Sequence, residues 1–422
     1  MSEDAPVKKE VSSVKGTHDI LPGEVEKWQV FEASARSVFE AYGYRELRAP
    51  VIEHTELFEK STGQSSDVVT KEMYTFADKG GRSITLRPEY TPSVVRAIIE
   101  HRLDLRPEPL RFYYMGPMFR YDKPQKGRYR QFHQVDVEVF GEKDPAVDAE
   151  VVEMAHHLLD RLNVAGTETL VNSVGCRKCR PAYSAALRQS ARASLDRLCE
   201  DCRRKAELNP LRIFDCKLES CRRVAASFPP IQEYLCEECS RHFDDFKSCL
   251  ELLGIPYRVD ARLVRGLDYY TKTTFEVVST ALGAQNALLG GGRYDDMMRD
   301  FGGPDLCGIG FALGIERLLA TVEVTVPSRR ALYIAWLGES ARREALKTAR
   351  FFRRRGVETI VEYKERGMKA HFSRANRLKA DWVLTIGEQE LRSDRFGLKD
   401  MAAGSQHEGT PEELLSRLKS ER

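Results

Sequence analysis

The chain has 422 residues and a formal net charge of +2, with 42% hydrophobic and 31% charged residues. This length is too great for one ordinary hydrophobic core, so two or three domains are expected. No apolar run is long enough to span a bilayer, and residues 1–14 are a short polar tail rather than a basic-then-apolar leader. These features exclude a membrane partner and favour a cytoplasmic location.

In the first part of the chain, apolar spacing predicts helices over 24–42, 91–103 and 145–164. Strands are predicted over 110–121, 128–140 and 273–279. Residues 176–249 are rich in Cys and Arg, and the interruptions "NPL" and "FPPI" indicate a small inserted domain.

After Pro327 the order of predicted elements is strand, helix, strand, helix, strand, which favours a compact α/β domain with a parallel or mixed sheet. Residues 328–422 contain 21 Lys and Arg against 14 Asp and Glu, a net charge of +7 that leaves −5 for the rest of the chain. Such an excess favours a polyanionic partner such as nucleic acid, although solvated helix faces would produce it equally well.

The strand predicted over 128–140 has two chemically different faces. One face ends in a valine stripe, Val135, Val137 and Val139, that requires a core. The other face carries, in order, cationic, aromatic, amide and acidic side chains: Arg128, Arg130, Phe132, Gln134, Asp136 and Glu138. Residues 110–121 can pair with it as an antiparallel hairpin that brings Arg120 alongside.

The polar face suits an extended ligand with phosphates at one end, a base over Phe132 and a hydrogen-bonding group near Glu138, about 20 Å away by strand rise. An exposed hairpin covered with salt bridges is the alternative. No phosphate-binding loop with a Gly-x-x-x-x-Gly-Lys motif occurs, and the dinucleotide fingerprint around Gly308 and Gly310 fails at Leu313. A nucleotide would therefore bind through arginines on a sheet.

Six stretches in order resemble the class II aminoacyl-tRNA synthetases, and among them the histidyl-tRNA synthetase family. They are "KGTHDILP" (15–22), "TLRPEYTPSVVRA" (85–97), the hairpin loop "FRYDKPQKGRYRQFHQ" (119–134), "LVRGLDYYTKTTFE" (263–276), "GGGRYDDM" (290–297) and "GIGFALGIERLL" (308–319). The resemblance implies an α+β catalytic domain, an antiparallel sheet with helices, over 15–172 and 254–324. A helical insertion over 173–253 and an anticodon-binding α/β domain over 328–422 follow from it as well.

The resemblance also implies roles for individual residues. Arg120 and Arg265 are the expected catalytic residues. ATP, accompanied by Mg²⁺, is expected to contact Arg120, Arg128, Phe132 and Arg317. Histidine is expected to contact Glu89, Thr91, Gln134, Glu138, Arg265, Tyr269 and Tyr270. Lys123 and Gln125 are expected to face the acceptor end of tRNA(His), and "AYGYRELRAPVIEH" (41–54) corresponds to the region that forms the homodimer interface in the family.

Eight cysteines form four pairs: Cys176/Cys179, Cys199/Cys202, Cys216/Cys221 and Cys236/Cys239. The first two pairs have the spacing of a four-thiolate zinc site, and all eight residues could form two such sites in pairings that the sequence leaves open. The alternative is eight buried free thiols. Any metal here is expected to be structural. Cys249 and Cys307 are predicted to be ordinary core residues.

Three other functions would each explain part of the sequence. A catalytically silent, histidine-sensing regulatory or tRNA-binding relative would typically lack the C-terminal domain or one of Arg120, Arg265 and Arg317, all of which this chain retains. A synthetase for another amino acid is disfavoured by "RGLDYY". A zinc-based nucleic-acid-binding regulator would explain the cysteines and the basic C-terminal part but not the graded strand face.

Overall fold

The computed structural model describes residues 11–62, 68–106, 110–124, 127–279, 287–327 and 330–420. The chain divides into two compact units, Met1–Thr325 and Val326–Arg422. In the described part of the chain, no helix has both the length and the apolar composition needed to cross a membrane.

The first unit is built on a large sheet and a small one. Its strands are β1 Arg45–Glu46, β2 Ile52–His54, β3 Tyr74–Ala77, β4 Ser83–Leu86, β5 Leu110–Phe119, β6 Gln131–Phe140, β7 Thr167–Ser173, β8 Arg258–Val259, β9 Thr271–Ser279, β10 Ala287–Arg293 and β11 Gly308–Gly314. The eight-stranded sheet has the order β1-β5-β6-β11-β10-β9-β7-β8, and the three-stranded sheet has the order β2-β4-β3. All pairs are antiparallel except β1–β5 and β7–β8.

The helices of this unit are α1 Val25–Ala41, α2 Thr55–Thr62, α3 Thr91–Glu100, α4 Pro145–Arg161, α5 Arg180–Arg192, α6 Glu200–Leu208, α7 Glu219–Ala225, α8 Glu237–Leu252, α9 Met297–Asp300 and α10 Ile315–Leu319. Helices α1, α4 and α8 cover one face of the large sheet. Their apolar side chains share a core with Val135, Val137 and Val139 of β6, so the prediction that the valine stripe faces a core is confirmed. The opposite face of β6 is therefore left for other contacts.

Two parts of the predicted insertion pack differently. Helices α5, α6 and α7 enclose a small cluster of their own, to which Cys202 and Cys221 belong. Helix α8 instead places Phe243, Phe246 and Leu250 in the main core. The boundaries 173–253 remain a prediction, but α8 is held by the sheet rather than by the insertion.

The second unit has one five-stranded sheet of order β13-β12-β14-β15-β16. Its elements are β12 Ala331–Trp336, α11 Glu339–Arg353, β13 Glu358–Val361, α12 Met368–Arg377, β14 Trp382–Ile386, α13 Glu388–Ser393, β15 Phe396–Asp400, β16 Gln406–Gly409 and α14 Pro411–Ser420. Strands β13, β12 and β14 are parallel, as the predicted strand-helix alternation requires, and β15 and β16 add antiparallel strands. Both faces of β12 are buried: Leu332 packs in the cluster of α11, and Tyr333 packs in the cluster of α12.

The predicted helices and hairpin are confirmed as elements, with shorter ends. Strand β6 begins at Gln131 rather than at Arg128, and α3 ends at Glu100. The hairpin is antiparallel over its whole length, and the backbone N–H of Arg120 donates to the carbonyl of Arg130 at 2.9 Å. The strands β3, β4, β7 and β10 were not predicted. Neither were β1, β2 and β8, whose two or three residues carry too little periodicity.

Candidate active site

Strand β6 presents the graded face predicted from its alternation. Phe132 is half-buried near the hairpin loop, and Glu138 is almost fully buried, with 2% exposure, at the other end of the strand. The guanidinium of Arg120 lies 5.3 Å from the centre of the Phe132 ring, and its Nε donates to the carbonyl oxygen of Pro88 at 2.8 Å. Cation–π contact and the hydrogen bond together fix Arg120 over the aromatic residue.

A floor of small residues lies beside this face. In register across the sheet, Glu138 is opposite Gly310, and Gly310 is opposite Gly292. One row along, Asp136 is opposite Ala312, and Ala312 is opposite Gly290. Directly opposed residues share one face of a sheet, so these small residues form a shallow trough between the carboxylates of β6 and strand β9. The trough has almost no side chains of its own.

Glu138 lies at the closed end of the trough. Burial raises the pKa of its carboxyl to about 7, although the hydroxyls of Thr91, Tyr114 and Tyr294 around it act in the opposite direction. These hydroxyls lie near the carboxylate, but among the described residues Glu138 Oε2 and the hydroxyls of Tyr114 and Tyr294 make no well-formed hydrogen bond. Buried polar atoms without partners are rare, so this group is suited to a polar ligand atom. A Cβ on Gly310 would lie 2.7 Å from Cγ of Glu138, so only glycine allows this position of the carboxylate.

The other residues expected to contact histidine lie around the same end. Glu89 is buried and accepts a hydrogen bond from the Tyr269 hydroxyl at 3.2 Å. The rings of Tyr269 and Tyr270 are 4.7 Å apart, and Tyr269 makes an edge contact with Tyr294 at 5.6 Å. Thr91 begins α3, and Gln134 lies on β6 opposite Gly314.

Arg265 crosses the trough from the side of β9. It forms a salt bridge with Glu276, which is the direct cross-strand neighbour of Gly290. A Cβ on residue 290 would lie 2.5 Å from the guanidinium carbon of Arg265, so the absence of a side chain there makes room for this cation. The acid that pairs with Arg265 is thus Glu276 and not Asp268, although Asp268 is much nearer in the sequence. Asp268 accepts instead from Asn209 and Arg212, both at 2.9 Å.

A group of cations surrounds the open end. Burial and the nearby charges of Arg128 and Arg265 lower the pKa of Arg317, while Glu276 acts in the opposite direction. Arg317 is held by donation from its Nη1 to the carbonyl oxygen of Ala287 at 2.8 Å, and Arg128 pairs with Asp122 at 2.7 Å. The positive charges of these fixed side chains repel one another, and a bound polyanion would relieve that repulsion.

Of the two expected tRNA contacts, the structure describes only Lys123. Lys123 is exposed in the hairpin loop, where its backbone N–H donates to the side chain of Asp122 at 2.7 Å. Gln125 lies outside the described residues. Arg87 and Tyr90 of the same motif as Glu89 are structural: the Arg87 guanidinium lies 3.9 Å from the Tyr90 ring centre and donates to the carbonyl oxygens of Ala49 and Pro117.

Three residues that shape the site were not predicted from the sequence. Glu276 holds Arg265, and Tyr114 and Tyr294 surround Glu138. Asp136 was predicted to lie on the strand face, but its burial was not predicted. Burial, and after it the charge of the adjacent Glu138, hold the pKa of Asp136 well above the ordinary range. Glu276 ends one of the quoted motifs and Tyr294 lies in another, so motif membership was the available signal.

The insertion brings the eight cysteines into two groups of four. Cys176, Cys179, Cys236 and Cys239 form the proximal cluster, and Cys199, Cys202, Cys216 and Cys221 form the distal cluster. The four sulfur atoms of each cluster lie within 4.8 Å of one another. The pairs Cys176/Cys179 and Cys199/Cys202 therefore do not share a site, although their spacing in the sequence fits one. The start of α8 instead places Cys236 and Cys239 beside Cys176 and Cys179. Cys307 is buried and Cys249 is half-buried against the main core.

Comparison with known proteins agrees with this geometry. A family model of histidyl-tRNA synthetases matches residues 16–318, and a model of anticodon-binding domains matches residues 331–421. The histidine–tRNA ligase of Desulforamulus reducens is 47% identical over 411 residues, which cover 96% of this chain and 98% of that protein. The histidine–tRNA ligase of Solibacter usitatus is 48% identical over 410 residues, 97% of this chain and 99% of that protein.

Among solved structures, the apo histidyl-tRNA synthetase of S. aureus superimposes with a TM-score of 0.82 at 37% identity, and the match covers 96% of this chain and 99% of that one. Both compact units are included in matches of this extent. The sheet, the glycine trough and the arginines thus belong to a class II synthetase fold, and the chain is a member of the histidyl-tRNA synthetase family.

Proposed function

We propose that this synthetase joins L-histidine to tRNA(His) in two steps at the trough described above. Histidine and ATP first form histidyl-adenylate and pyrophosphate. The histidyl group then passes to the 3′ end of the tRNA. The feature that carries this proposal is the polarity of the trough, which runs from fixed arginines at the open end to the buried Glu138 at the closed end.

ATP is assigned to the cationic end. Arg120 binds the α-phosphate, Arg128 and Arg317 bind the β- and γ-phosphates, and Phe132 stacks on the adenine with Arg317 on its other side. Arginine suits this role because it stays charged and offers a rigid fork of donors. Glu276 lies among these cations and offers the hard oxygen that Mg²⁺ prefers, so it fits the ion that accompanies ATP. When bound, Mg²⁺ supplies positive charge against the triphosphate.

Histidine is assigned to the acidic end. Glu138 and Tyr270 read the imidazole, with Tyr269 beside them, and Glu89, Thr91 and Gln134 hold the α-ammonium. A buried carboxylate oxygen without a well-formed hydrogen bond accepts the imidazole N–H. This assignment explains why Glu138 is kept in an otherwise unfavourable site.

The chemistry of activation is an in-line attack of the histidine carboxylate on the α-phosphorus. Two anions must approach, so catalysis depends on positioning and on charge neutralisation. Arg265 lies between the two ends of the trough and bridges the carboxylate and the α-phosphate. Its salt bridge with Glu276 fixes it before the substrates arrive.

The remaining partners follow from the second unit and the hairpin loop. Residues 328–422, with their net charge of +7, read the anticodon. Lys123 and Gln125 contact the acceptor end. A histidine-sensing regulatory role is not favoured, because Arg120, Arg265, Arg317 and the second unit are all retained.

We place the enzyme in the cytoplasm as a homodimer that uses residues 41–54. Ile52 in that segment and Phe76 on the same small sheet are 49% and 46% exposed, which is unusual for apolar strand residues and suits a buried interface. Replacing Ile52 by Asp should give a monomer in sedimentation, whereas replacing the exposed Leu208 of the insertion should not. The cysteine-rich insertion supplies structural zinc sites.

The decisive experiment is ATP–pyrophosphate exchange with each proteinogenic amino acid in turn, followed by charging of tRNA(His). Exchange that depends on histidine alone is expected. Exchange that depends on another amino acid would show that the closed end of the trough binds that amino acid and not histidine. Histidine binding without any exchange would favour the regulatory function.

A further inference from the structure

The two cysteine clusters have the geometry of sites for a single metal ion each. Sulfur atoms of the proximal cluster are 3.7 Å apart between Cys176 and Cys179 and 3.9 Å apart between Cys176 and Cys236. Thiolates about 2.3 Å from a central tetrahedral zinc ion lie about 3.8 Å from one another. Disulfide bonding would require about 2.05 Å, so the spacing matches a metal site and not a disulfide.

Backbone N–H groups point at the sulfur atoms in both clusters. Cys179 Sγ accepts from the N–H of Cys236 at 3.1 Å, and Cys221 Sγ accepts from the N–H of Cys199 at 3.2 Å. Weaker contacts of 3.4 Å join Lys178 N to Cys176 Sγ and Cys202 N to Cys199 Sγ. Donors of this kind stabilise thiolates, which are the species that bind zinc.

The insertion needs such links because its own core is small. Helices α5, α6 and α7 have 13, 9 and 7 residues and enclose one modest cluster, two members of which are the cysteines Cys202 and Cys221. Segments of this size seldom fold on apolar burial alone and commonly use a structural metal. A structural metal would add the stability that a core of this size lacks.

Both clusters are also connected to residues 265–270, the segment that carries Arg265, Tyr269 and Tyr270. Next to Cys179, the Arg180 guanidinium donates to the carbonyl oxygens of Asp268 and Tyr270. From the stretch between Cys202 and Cys216, Asn209 after α6 and Arg212 in a short 3-10 helix donate to the Asp268 carboxylate at 2.9 Å. Arg212 also reaches the carbonyl oxygen of Arg265 at 3.5 Å.

We propose that the insertion binds two zinc ions, one in the proximal and one in the distal cluster, and that together they hold residues 265–270 in the position required by the histidine pocket. Each ion fixes a short stretch of chain whose side chains reach this segment. Arg180 acts from the proximal side, and Asn209 and Arg212 act from the distal side. All three are positioning residues that touch the segment rather than the reacting atoms. The second half of the proposal rests on the proposed function, but the metal content does not.

Elemental analysis of the purified protein tests the metal sites directly. Two equivalents of zinc per chain are expected, one for each cluster. Cys236→Ser and Cys216→Ser, which change half-buried members of different clusters, should each lose one equivalent, and Cys249→Ser should keep both. Zinc-free protein, iron in place of zinc, or loss of both ions from either variant would overturn the two-site assignment.

Substitution of cobalt for zinc in the unaltered protein gives a second measurement that does not depend on whether the variants fold. Charge-transfer and ligand-field absorption of tetrahedral cobalt thiolate should saturate at two equivalents. A spectrum without thiolate charge transfer would contradict the proposal even if zinc were present.

The link to the active site is tested with Arg212→Ala in the zinc-loaded protein. Zinc content should stay at two equivalents, while the Kd for histidine rises about tenfold, the loss expected for hydrogen bonds to a charged group. The Kd for ATP should hardly change, and Arg212→Lys should recover part of the histidine affinity. The matched control is Arg192→Ala, which removes an exposed salt bridge to Glu207 on the same insertion.

Equal histidine affinity in Arg212→Ala and Arg192→Ala would overturn the positioning role and leave the metal sites intact. Absence of histidine activation in the unaltered protein would instead remove the proposed function. The two failures are therefore distinguishable, because zinc content and cobalt absorption are read without substrates.

Discussion

Arg265 forms a salt bridge with Glu276 across the space that Gly290 leaves empty. The Glu276 carboxylate on β9 orients the Arg265 guanidinium. Gly290 on the neighbouring strand β10 has no side chain that would occupy the same space. Because Arg265 lies between the acidic and cationic ends of the trough, we expect this pair to decide how the two substrates meet.

Arg265→Ala should lower kcat for adenylate formation by about 10²–10³, the effect of removing one preorganised charge donor. The KM values for ATP and histidine should change far less, since the charge matters most as the pentacoordinate phosphorus forms. Steady-state pyrophosphate exchange measures both quantities. Transfer from preformed adenylate should be less affected than activation.

A melting curve on the same variant separates catalysis from structure. Glu276 loses its partner when Arg265 is removed, so a modest loss of stability is compatible with the catalytic role. A destabilised protein of normal kcat would restrict Arg265 to a structural salt bridge.

Gly290→Ala tests whether Arg265 needs the space that the missing side chain of Gly290 leaves. The added methyl would lie 2.5 Å from the guanidinium carbon of Arg265, so the cation must move. Displacement of a catalytic group on this scale costs about 10² in kcat. Gly266→Ala is the matched control, since its Cβ would meet only Arg212 at an ordinary 3.8 Å. Equal activity of the two variants would show that Arg265 tolerates displacement.

Glu138→Gln should weaken histidine recognition by about 1–3 kcal/mol, because the amide keeps the shape but is a poorer acceptor in a buried site. Histidine kinetics and calorimetry measure this loss. Unchanged KM and kcat would place the imidazole elsewhere in the trough.

Glu138 should also make the stability of the ligand-free protein depend on pH. Its pKa of about 7 in the folded state exceeds the ordinary 4.5, so the unfolded chain releases the proton first as pH rises. The stabilising contribution of the protonated carboxyl is full below pH 4.5 and is lost as pH rises through about 7. Glu138→Gln should flatten this part of the stability curve of the ligand-free protein, as measured by melting at pH 5 and pH 8.

Histidine affinity should show the opposite trend, because the ionised carboxylate is the better acceptor. Affinity should rise as pH increases through about 7 in the unaltered protein. Free histidine also titrates in this range, and that inflection should persist in Glu138→Gln. An identical pH profile in both proteins would remove Glu138 from recognition.

Removal of residues 326–422 should leave histidine activation largely intact and cripple tRNA charging. Every residue assigned to ATP and histidine lies in the unit Met1–Thr325, which has its own hydrophobic cores. Exchange and charging assays on the truncated protein measure the two steps. Lost activation in a folded, dimeric truncation, or full charging by it, would contradict this division of labour.

Local patterns predicted much of the first unit. Alternation along β6 gave the valine stripe and the graded face, and helical spacing gave α1, α3 and α4. The strands β15 and β16 of the second unit were missed, because the polar "LKD" and "HEG" segments become strands only through pairing, β15 with β14 and β16 with β15. Propensity is a weak guide where pairing supplies the stability.

The sequence by itself determined which chemical groups are present and which of them share a strand face, because period-two alternation is a property of the backbone. Only the tertiary structure decided which groups meet across strands and loops. It paired Arg265 with Glu276 instead of Asp268, and it joined Cys176 and Cys179 to Cys236 and Cys239. These contacts depend on sheet register and on the path of α8, which are set by the packing of distant residues and leave no trace in local spacing.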